Sequence, residues 1–180
     1  MVLFYRMNRI NKNTWLESGF KLLAQEGFSK ITIENLCNDI EKTKGSFYHH
    51  FKNIDDYIVH LMEYWLNVNT LSIIETTEKE KDAWKKEETI NSLVSRATHK
   101  AELYIRGWSF ANKIVNSYVK KADSIRLNYI TKLNEQKGFD NVKAKEMAML
   151  TYATLVGMQQ LFPELTTKDY GHLIELTYLK

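Results

Sequence analysis

The residues from Thr43 to Phe51 combine side chains that suit a phosphate-rich partner. Their sequence is Thr-Lys-Gly-Ser-Phe-Tyr-His-His-Phe. In a helix, Phe47 and Phe51 lie four positions apart on one face and can fasten the helix to a core. The other faces then present basic, hydroxyl and aromatic groups. Lysine side chains and the free N–H groups of a helix start bind phosphate, so this helix is the first candidate site.

Two helices before this stretch are predicted to position it. Apolar residues at helical spacing predict a first helix over 14–26, with Gly27 at its end. Gly19 lies inside that helix and allows another helix to approach closely. Thr32 is a suitable N-cap for a second helix that extends to about Ile40.

A tight turn at Glu41 and Lys42 separates the second helix from the third, for which Thr43 is the predicted N-cap. Two short helices joined in this way form a helix-turn-helix, whose second helix enters the major groove of DNA. Positive charge is concentrated in the same region: residues 1–52 hold eight Lys and Arg against five Asp and Glu, whereas the rest holds 17 of each. This excess favours nucleic acid, although a solvated surface of ordinary composition also produces it.

The remaining chain predicts a helical bundle. Asn53 is a suitable cap for a long helix that continues to about Thr76 without a linker after the third helix. Residues 75–88 are dense in charge and are predicted to be a helix end and a loop. Further helices are predicted over 88–98, 101–111, 112–137, from Asp140 or Asn141 to Phe162, and from Thr166 or Thr167 to the C-terminus.

Composition limits the class of protein. One Pro and seven Gly in 180 residues argue against a turn-rich all-β fold, and 44% hydrophobic residues are sufficient for a core. Cys37 is the single cysteine, so no internal disulfide forms and a cytoplasmic location is expected. The chain has no apolar run of about 18 residues. Residues 1–11 are expected to be a tail, because the apolar start has no basic segment before it.

Three blocks of sequence, taken together, resemble the DNA-binding domain of the TetR family of bacterial transcriptional regulators. They are 20–28 (FKLLAQEGF), 31–36 (ITIENL) and 44–53 (KGSFYHHFKN), and the similarity covers about residues 9–60. The resemblance implies an all-α fold with an N-terminal three-helix helix-turn-helix domain over 1–52. A long helix would join it to a C-terminal effector-binding and dimerisation bundle over 53–180. The implied function is a homodimeric repressor that binds a palindromic operator and is released by a small molecule.

The predicted DNA contacts lie on and around the third helix, with a solvated polar face as the alternative. Lys44, Lys52 and Tyr48 are assigned to phosphates, and Ser46 and His49 to base edges. The full set is Thr32, Lys42, Thr43, Lys44, Gly45, Ser46, Tyr48, His49, His50 and Lys52. Arg6, Arg9 and Lys12 are expected to form either a basic arm along DNA or a solvated tail.

One position departs from the family pattern. The family commonly has Ala-Gly and an aliphatic residue at the turn, where this chain has Ile40-Glu41-Lys42. Glycine accepts a positive φ at little cost, whereas glutamate does not. Either the turn has another conformation here or it is strained.

Two further surfaces follow from the resemblance. An effector pocket is predicted at Trp65, Tyr104, Arg106 and Trp108, because aromatic walls and one charge orient a ligand. Arg106 has an alternative partner in Glu102, four residues earlier. Small residues at 144, 148, 153 and 157 predict close helix packing, with Ala153 and Gly157 at the centre of a dimer interface or, alternatively, packed within the chain.

Catalysis is not expected, since the sequence has no Gly-rich phosphate loop, no metal-ligand spacing and no nucleophile motif. No cofactor or metal is predicted. The alternative functions are an adaptor of the same fold that acts through a protein partner, and an enzyme without a recognised motif. A closed apolar cavity in the bundle favours the ligand-released regulator over the adaptor.

Overall fold

Helices account for the secondary structure of the part of the chain that the computed structural model describes, namely residues 11–96, 99–166, 168, 169, 172 and 173. The α-helices are α1 (Lys12–Glu26), α2 (Ile33–Asp39), α3 (Lys44–His50), α4 (Ile54–Leu66), α5 (Ser72–Thr77), α6 (Ala83–Ser95), α7 (His99–Ser109), α8 (Lys113–Gln136) and α9 (Asn141–Leu161). A short 3-10 helix (Phe28–Lys30) follows α1, and a π turn (Asn67–Leu71) joins α4 to α5.

The first four helices begin at side-chain caps. Thr32 accepts from the N–H of Asn35 and Thr43 accepts from the N–H of Ser46, as predicted. The predicted cap at Asn53 is also confirmed, since its side chain accepts from the N–H of Asp56 at 2.8 Å. The helix α1 starts two residues earlier than predicted because Asn11 provides the cap.

The bundle differs from the sequence prediction in two places. The predicted loop up to residue 88 is wrong, because α6 already begins at Ala83 where the Asp82 carboxylate caps the N–H groups of Trp84 and Lys85. The long helix from Asn53 is continuous to Thr77, but the π turn interrupts its α-helical spacing. The predicted starts at Asn112 and Asp140 are confirmed. The predicted C-terminal helix lies largely outside the described residues.

One hydrophobic cluster connects the first three helices to the bundle through α4. Its largest fully buried side chains include Trp15, Phe47, Tyr57 and Trp65. The hydroxyl of Tyr57 donates to the Trp15 carbonyl at 2.8 Å, directly above Gly19. A Cβ on Gly19 would lie 1.7 Å from that hydroxyl oxygen, so the predicted close helix approach at Gly19 is confirmed.

A second connection runs from the end of α1 to α7. Gly27 has a φ of 86°, and a Cβ there would lie 3.1 Å from the Tyr104 ring. Next to it, the rings of Phe28 and Trp108 stack with their centroids 5.8 Å apart. The N-terminal helices are therefore held against both α4 and α7.

Candidate functional site

The helix α3 is fastened by two aromatic side chains and exposes its polar ones. Phe47 and Phe51 are fully buried, and both rings meet Trp15 edge-on at 5.5 and 6.4 Å. The opposite face presents Tyr48, which is 54% exposed, and His49. The spacing of the two phenylalanines thus predicted the orientation of this helix.

The structure places the ten predicted DNA contacts at the starts of α2 and α3, along α3 and in the adjoining turns. Most are exposed, whereas Ser46 and His50 are half-buried. The hydroxyl oxygens of Thr32 and Thr43 accept from backbone N–H groups. A hydroxyl also has a proton to donate, so these two caps can still donate to a phosphate.

The lysines around α3 differ from the other lysines of this region. Lys21 and Lys30 each lie within 4.0 Å of a carboxylate, on Asp39 and Glu26. No described carboxylate forms an ion pair with the exposed Lys42, Lys44 or Lys52. Their ammonium groups are therefore suitable for phosphate contacts, which supply salt-dependent affinity.

Gly45 is not required by the packing of the chain. A Cβ on it would meet only the Thr43 hydroxyl oxygen, at an ordinary 3.6 Å. Glycine near a helix start costs about 1 kcal/mol of helix propensity relative to alanine. A close approach of the backbone to an external partner, as predicted from the sequence, gives a reason for the glycine here.

The turn before α3 keeps the conformation that glycine usually adopts. Glu41 has a φ of 53° and is the single described residue other than glycine with a positive φ. The N–H of Lys42 donates to the Cys37 carbonyl at 2.8 Å and that of Glu41 to Asn38 at 3.2 Å. These are the two hydrogen bonds of a Schellman motif. Of the two predicted alternatives, the strained turn is therefore the one observed.

Of the predicted basic arm, Lys12 is described, and its ammonium lies 5.2 Å from the centroid of the Phe51 ring. Arg6 and Arg9 lie outside the described residues.

The bundle contains a cavity of about 70 Å³ beside the π turn. A neighbouring cavity of about 60 Å³ shares part of its wall, including Ile90 and Tyr152. The apolar wall of the first is formed by Ile73, Ile74, Ile90, Val94, Ile130 and Leu155, and the polar wall by Asn69, Thr70, His99, Glu102, Arg126, Tyr129, Tyr152 and Gln159.

Buried charges of both signs form one network at the edge of this cavity. Glu102 is bonded to Arg126 at 2.7 Å, to Arg106 at 3.3 Å and to the indole N–H of Trp65 at 3.1 Å. Burial alone would raise the pKa of Glu102, but the two guanidinium groups outweigh it and keep that pKa below its usual range. Arg106 also binds Asp123 at 2.7 Å.

Tyr152 completes the network. Its hydroxyl donates to Asp123 at 2.6 Å and accepts from Arg106 at 2.8 Å. Burial raises the pKa of Tyr152 to about 12, so the phenol is protonated at neutral pH. The polar atoms of the network are thus bonded mainly to one another, although the buried Nε of Arg106 has no hydrogen-bond partner among the described residues, and the network shapes one end of the cavity.

The four residues predicted for the effector pocket lie outside the wall of this cavity. Trp65 is fully buried, and Arg106 has the predicted alternative partner Glu102. Tyr104 and Trp108 pack against Gly27 and the Phe28 ring. The four residues chosen for their aromatic rings and one charge therefore belong to the hydrophobic core and to the charged network, and not to the wall of this cavity.

Arg126 is one of the cavity residues that the sequence prediction missed. It lies on α8 in an otherwise apolar row with the buried Val119, Ala122 and Leu133. An arginine at helical spacing within such a row indicates a buried partner, and this signal was present in the sequence.

The small residues of α9 lie on two different faces. Ala144 and Ala148 are fully buried, and the Asn134 side chain donates to the Ala144 carbonyl. Ala153 is exposed, and a Cβ on Gly157 would meet nothing within 4 Å. The first pair packs within the chain, whereas the second pair lies on an outer face that also exposes Leu150 and Leu161 by 70 and 72%.

A comparison with known protein families identifies one that matches the N-terminal helices. Residues 16–59 match the family of bacterial regulatory proteins named tetR. This segment contains α2, α3 and the start of α4, together with the Schellman turn. The segment that carries α3 therefore has the sequence of the DNA-binding region of tetR-family regulators. A sequence search of curated proteins found no match.

Several solved structures are similar in fold to more than nine tenths of this chain. A TetR transcriptional regulator from Legionella pneumophila has a TM-score of 0.79 at 16% identity, covering 95% of this chain and 99% of that one. A transcriptional regulator from Saccharomonospora viridis, solved in complex with choline, has a TM-score of 0.78 at 13% identity and covers 91 and 93% of the two chains. A regulator from Aquifex aeolicus VF5 has a TM-score of 0.70 at 17% identity, covering 92 and 96%.

Family and fold are those of regulators, which are generally not enzymes. In the described part of the chain, no helix is long and apolar enough to cross a membrane. Within those same residues, no cluster of three or more His, Cys, Asp or Glu side chains is arranged to hold a metal ion.

Proposed function

We propose that this TetR-family protein is a homodimeric repressor that binds a palindromic operator through α3 and is released by a small molecule in the bundle. The observation that carries this proposal is the polar face of α3, where Lys44, Tyr48 and His49 are exposed while Phe47 and Phe51 hold the other face. A DNA-binding regulator is expected to act in the cytoplasm.

The side chains of α3 have different proposed roles. Lys44 and Lys52 bind phosphates, and the Tyr48 hydroxyl donates to a third phosphate. Ser46 and His49 contact base edges and therefore determine sequence preference. Gly45 allows the backbone of α3 to lie close to the groove.

The proposed division of the chain is a DNA-binding domain over 1–52 and an effector and dimerisation domain over 53–180. Asn53 caps α4 immediately after α3, and Tyr57 on α4 bonds to Trp15 on α1. A displacement of α4 in the bundle is thereby passed to the DNA-binding helices, which favours one of two global states when a ligand binds.

The proposed dimer uses the outer face of α9. Met149, Leu150 and Leu161 are 57 to 72% exposed there, beside Ala153 and Gly157. Small residues flanked by apolar ones allow two helices to pack closely. Two identical subunits related by a twofold axis match a palindromic site.

The main alternative is an adaptor that acts through a protein partner and has no effector. The cavity beside the π turn favours the effector-binding regulator, since an adaptor has no use for it. Choline in the S. viridis structure is an example of a small molecule bound by a protein of this fold.

The direct test is selection of bound sequences from a random pool of double-stranded DNA. The expected result is enrichment of a palindrome with two half-sites, each read by one α3. Lys44→Ala should select the same palindrome at lower affinity, and His49→Ala should alter one position in each half-site. Enrichment of no palindrome by the wild-type protein would overturn the proposal.

A further inference from the structure

The π turn that joins α4 to α5 is an unusual element in the helix that leads to the DNA-binding domain. The N–H of Ser72 donates to the Asn67 carbonyl, five residues earlier, instead of to the carbonyl four residues earlier. Such π turns are rare and occur frequently at functional sites. In this chain the π turn forms part of the cavity wall through Asn69 and Thr70.

A single side chain from α8 holds this turn. The Nε of Arg126 donates to the Thr70 hydroxyl oxygen at 2.9 Å, and its Nη2 donates to the Asn69 carbonyl at 3.3 Å. Its Nη1 binds Glu102 at 2.7 Å, and the guanidinium lies 5.4 Å from the Trp65 ring centroid. Arg126 therefore joins the π turn to α7 and α8.

The same groups line the cavity. Arg126, Thr70 and Asn69 all contribute to its wall, so a molecule inside it contacts both the turn and the side chain that holds it. A hydrogen-bond acceptor on that molecule competes with Thr70 and Asn69 for the guanidinium. The five N–H donors of Arg126 already have acceptors on Thr70, Asn69, Glu102 and Tyr152. A further acceptor therefore has to displace one of them, and the planar guanidinium shifts relative to the others.

Charge balance determines which molecules fit. Arg106 and Arg126 are balanced by Glu102 and Asp123, and a ligand with a full charge would upset this balance in a site of low polarity. Burial lowers the pKa of His99, so this wall residue adds no charge at neutral pH. Six aliphatic side chains form the apolar part of the wall, and the volume of about 70 Å³ accommodates a small molecule.

We propose that the cavity binds a small uncharged, mainly apolar molecule with one oxygen acceptor, and that Arg126 couples its binding to DNA release through the π turn. This inference rests on the proposed function and adds the class of effector and the coupling residue. When the ligand oxygen accepts hydrogen bonds from Arg126, the π turn loses these bonds and changes towards α-helical spacing. The start of α4 then rotates and moves the contact between Tyr57 and α1.

Two variants test the coupling without a ligand. Thr70→Val removes the acceptor of the Arg126 Nε and keeps the shape of the side chain. Deletion of Val68, which is 38% exposed, removes one residue from the π turn and favours α spacing on both sides. Both variants should bind the selected operator at least about tenfold more weakly than wild type, with melting temperatures that show a folded protein. Val68→Ala is the matched control, because it keeps the length of the π turn and the carbonyl that Arg126 uses, and its operator affinity should be unchanged.

A probe series tests the class of effector. Straight-chain and cyclic ketones of four to eight carbons are compared with carboxylates and ammonium compounds of equal carbon number, at up to about 10 mM, which detects even millimolar affinity. Ketones should raise the melting temperature and weaken operator binding, and Arg126→Met should abolish both effects. Preference for a charged series, or no binding by any member, would overturn the class of effector.

The outcomes separate the two proposals. Unchanged operator affinity in both Thr70→Val and the Val68 deletion would overturn the coupling while leaving the proposed function intact. Failure of the wild-type protein to bind any palindromic DNA would instead overturn the proposed function, and the melting-temperature series would still decide the class of effector.

Discussion

The DNA-binding helices and the bundle use charged side chains in opposite ways. Around α3, the lysines at 42, 44 and 52 are exposed and have no carboxylate partner among the described residues. In the bundle, Arg106 and Arg126 are largely buried and bonded to Glu102, Asp123 and Tyr152. The first set is available to an external partner, whereas the second is bonded to carboxylates and a phenol within the chain and holds helices together.

This contrast explains why one region was predictable from its residue types and the other was not. An exposed lysine on a short helix keeps its charge for a ligand, so its chemistry follows from the sequence. A buried arginine has a role that depends on which carboxylate the fold brings to it.

Glu102→Gln should have the largest effect on stability. It removes the carboxylate shared by Arg106 and Arg126 and leaves buried positive charge uncompensated, which costs about 3–5 kcal/mol. Urea unfolding followed by circular dichroism measures the change. Glu34→Gln is the matched control at an exposed helix position, and its stability should change by less than about 0.5 kcal/mol.

The same network predicts the pH dependence of stability. The pKa values of Glu102 and Asp123 are lowered in the folded protein despite burial, because the guanidinium groups stabilise the carboxylates. Their contribution to the free energy of unfolding is therefore complete when the pH is above their unfolded-state pKa values of about 4. It is lost as the pH falls through their lower pKa values in the folded protein. Stability that rises on acidification from pH 5 to pH 3 would contradict this role.

Gly19→Ala should destabilise the junction of α1 and α4 by about 1–3 kcal/mol or more, because the added Cβ would overlap the Tyr57 hydroxyl. Tyr57→Phe in the same chain should recover part of this loss. Gly107→Ala is the control in α7, where a Cβ meets nothing within 4 Å, and it should be neutral or stabilising. Equal melting temperatures for the two alanine variants would show that the close contact is not rigid.

Lys44→Ala and His49→Ala should separate the two kinds of DNA contact. Loss of a phosphate contact weakens binding to every sequence and lowers the salt slope by about one. Loss of a base contact costs roughly 1–3 kcal/mol at one position of each half-site. Fluorescence anisotropy with operator and mutated operators at several salt concentrations measures both, and the same uniform loss in both variants would refute the division of roles.

Glu41→Gly should have the smallest effect, a gain of about 0.5–1 kcal/mol. The residue has a φ of 53°, which glycine adopts without the steric cost that glutamate has. Thermal unfolding measures the gain, and Glu41→Ala should show none of it. A loss of stability in Glu41→Gly would mean that the glutamate side chain compensates for the strained backbone.

The sequence was sufficient to predict the first three helices and the caps of α2, α3 and α4, whereas the Asn11 cap of α1 was missed. Thr32, Thr43 and Asn53 are short polar residues before apolar segments, and a cap acts within three residues of its position. The pairing of Phe47 with Phe51 was predictable for the same reason. The set of DNA contacts follows from this local structure together with the family resemblance, and it stays a prediction until binding is measured.

The bundle was less predictable because its features depend on distant residues. The contact of Arg126 with Thr70 and Asn69 joins positions 56 and 57 residues apart, and the π turn follows from no local pattern. The start of α6 was missed although Asp82 is a good cap, because the dense charge around it resembled a loop. The four residues chosen for their aromatic rings and one charge lie outside the cavity wall, which combines aliphatic and polar side chains.

The polar residues of α3 are proposed to contact an external partner, whereas the buried charges of the bundle contact one another. Gly45→Ala tests this claim most directly, because a Cβ there meets no close neighbour inside the chain. Operator affinity and melting temperature are measured on the same preparation. We expect Gly45→Ala to have a melting temperature equal to or above that of wild type, since alanine favours the helix by up to about 1 kcal/mol. We also expect it to bind the operator at least about tenfold more weakly. Unchanged operator affinity in a variant of unchanged or higher stability would contradict it.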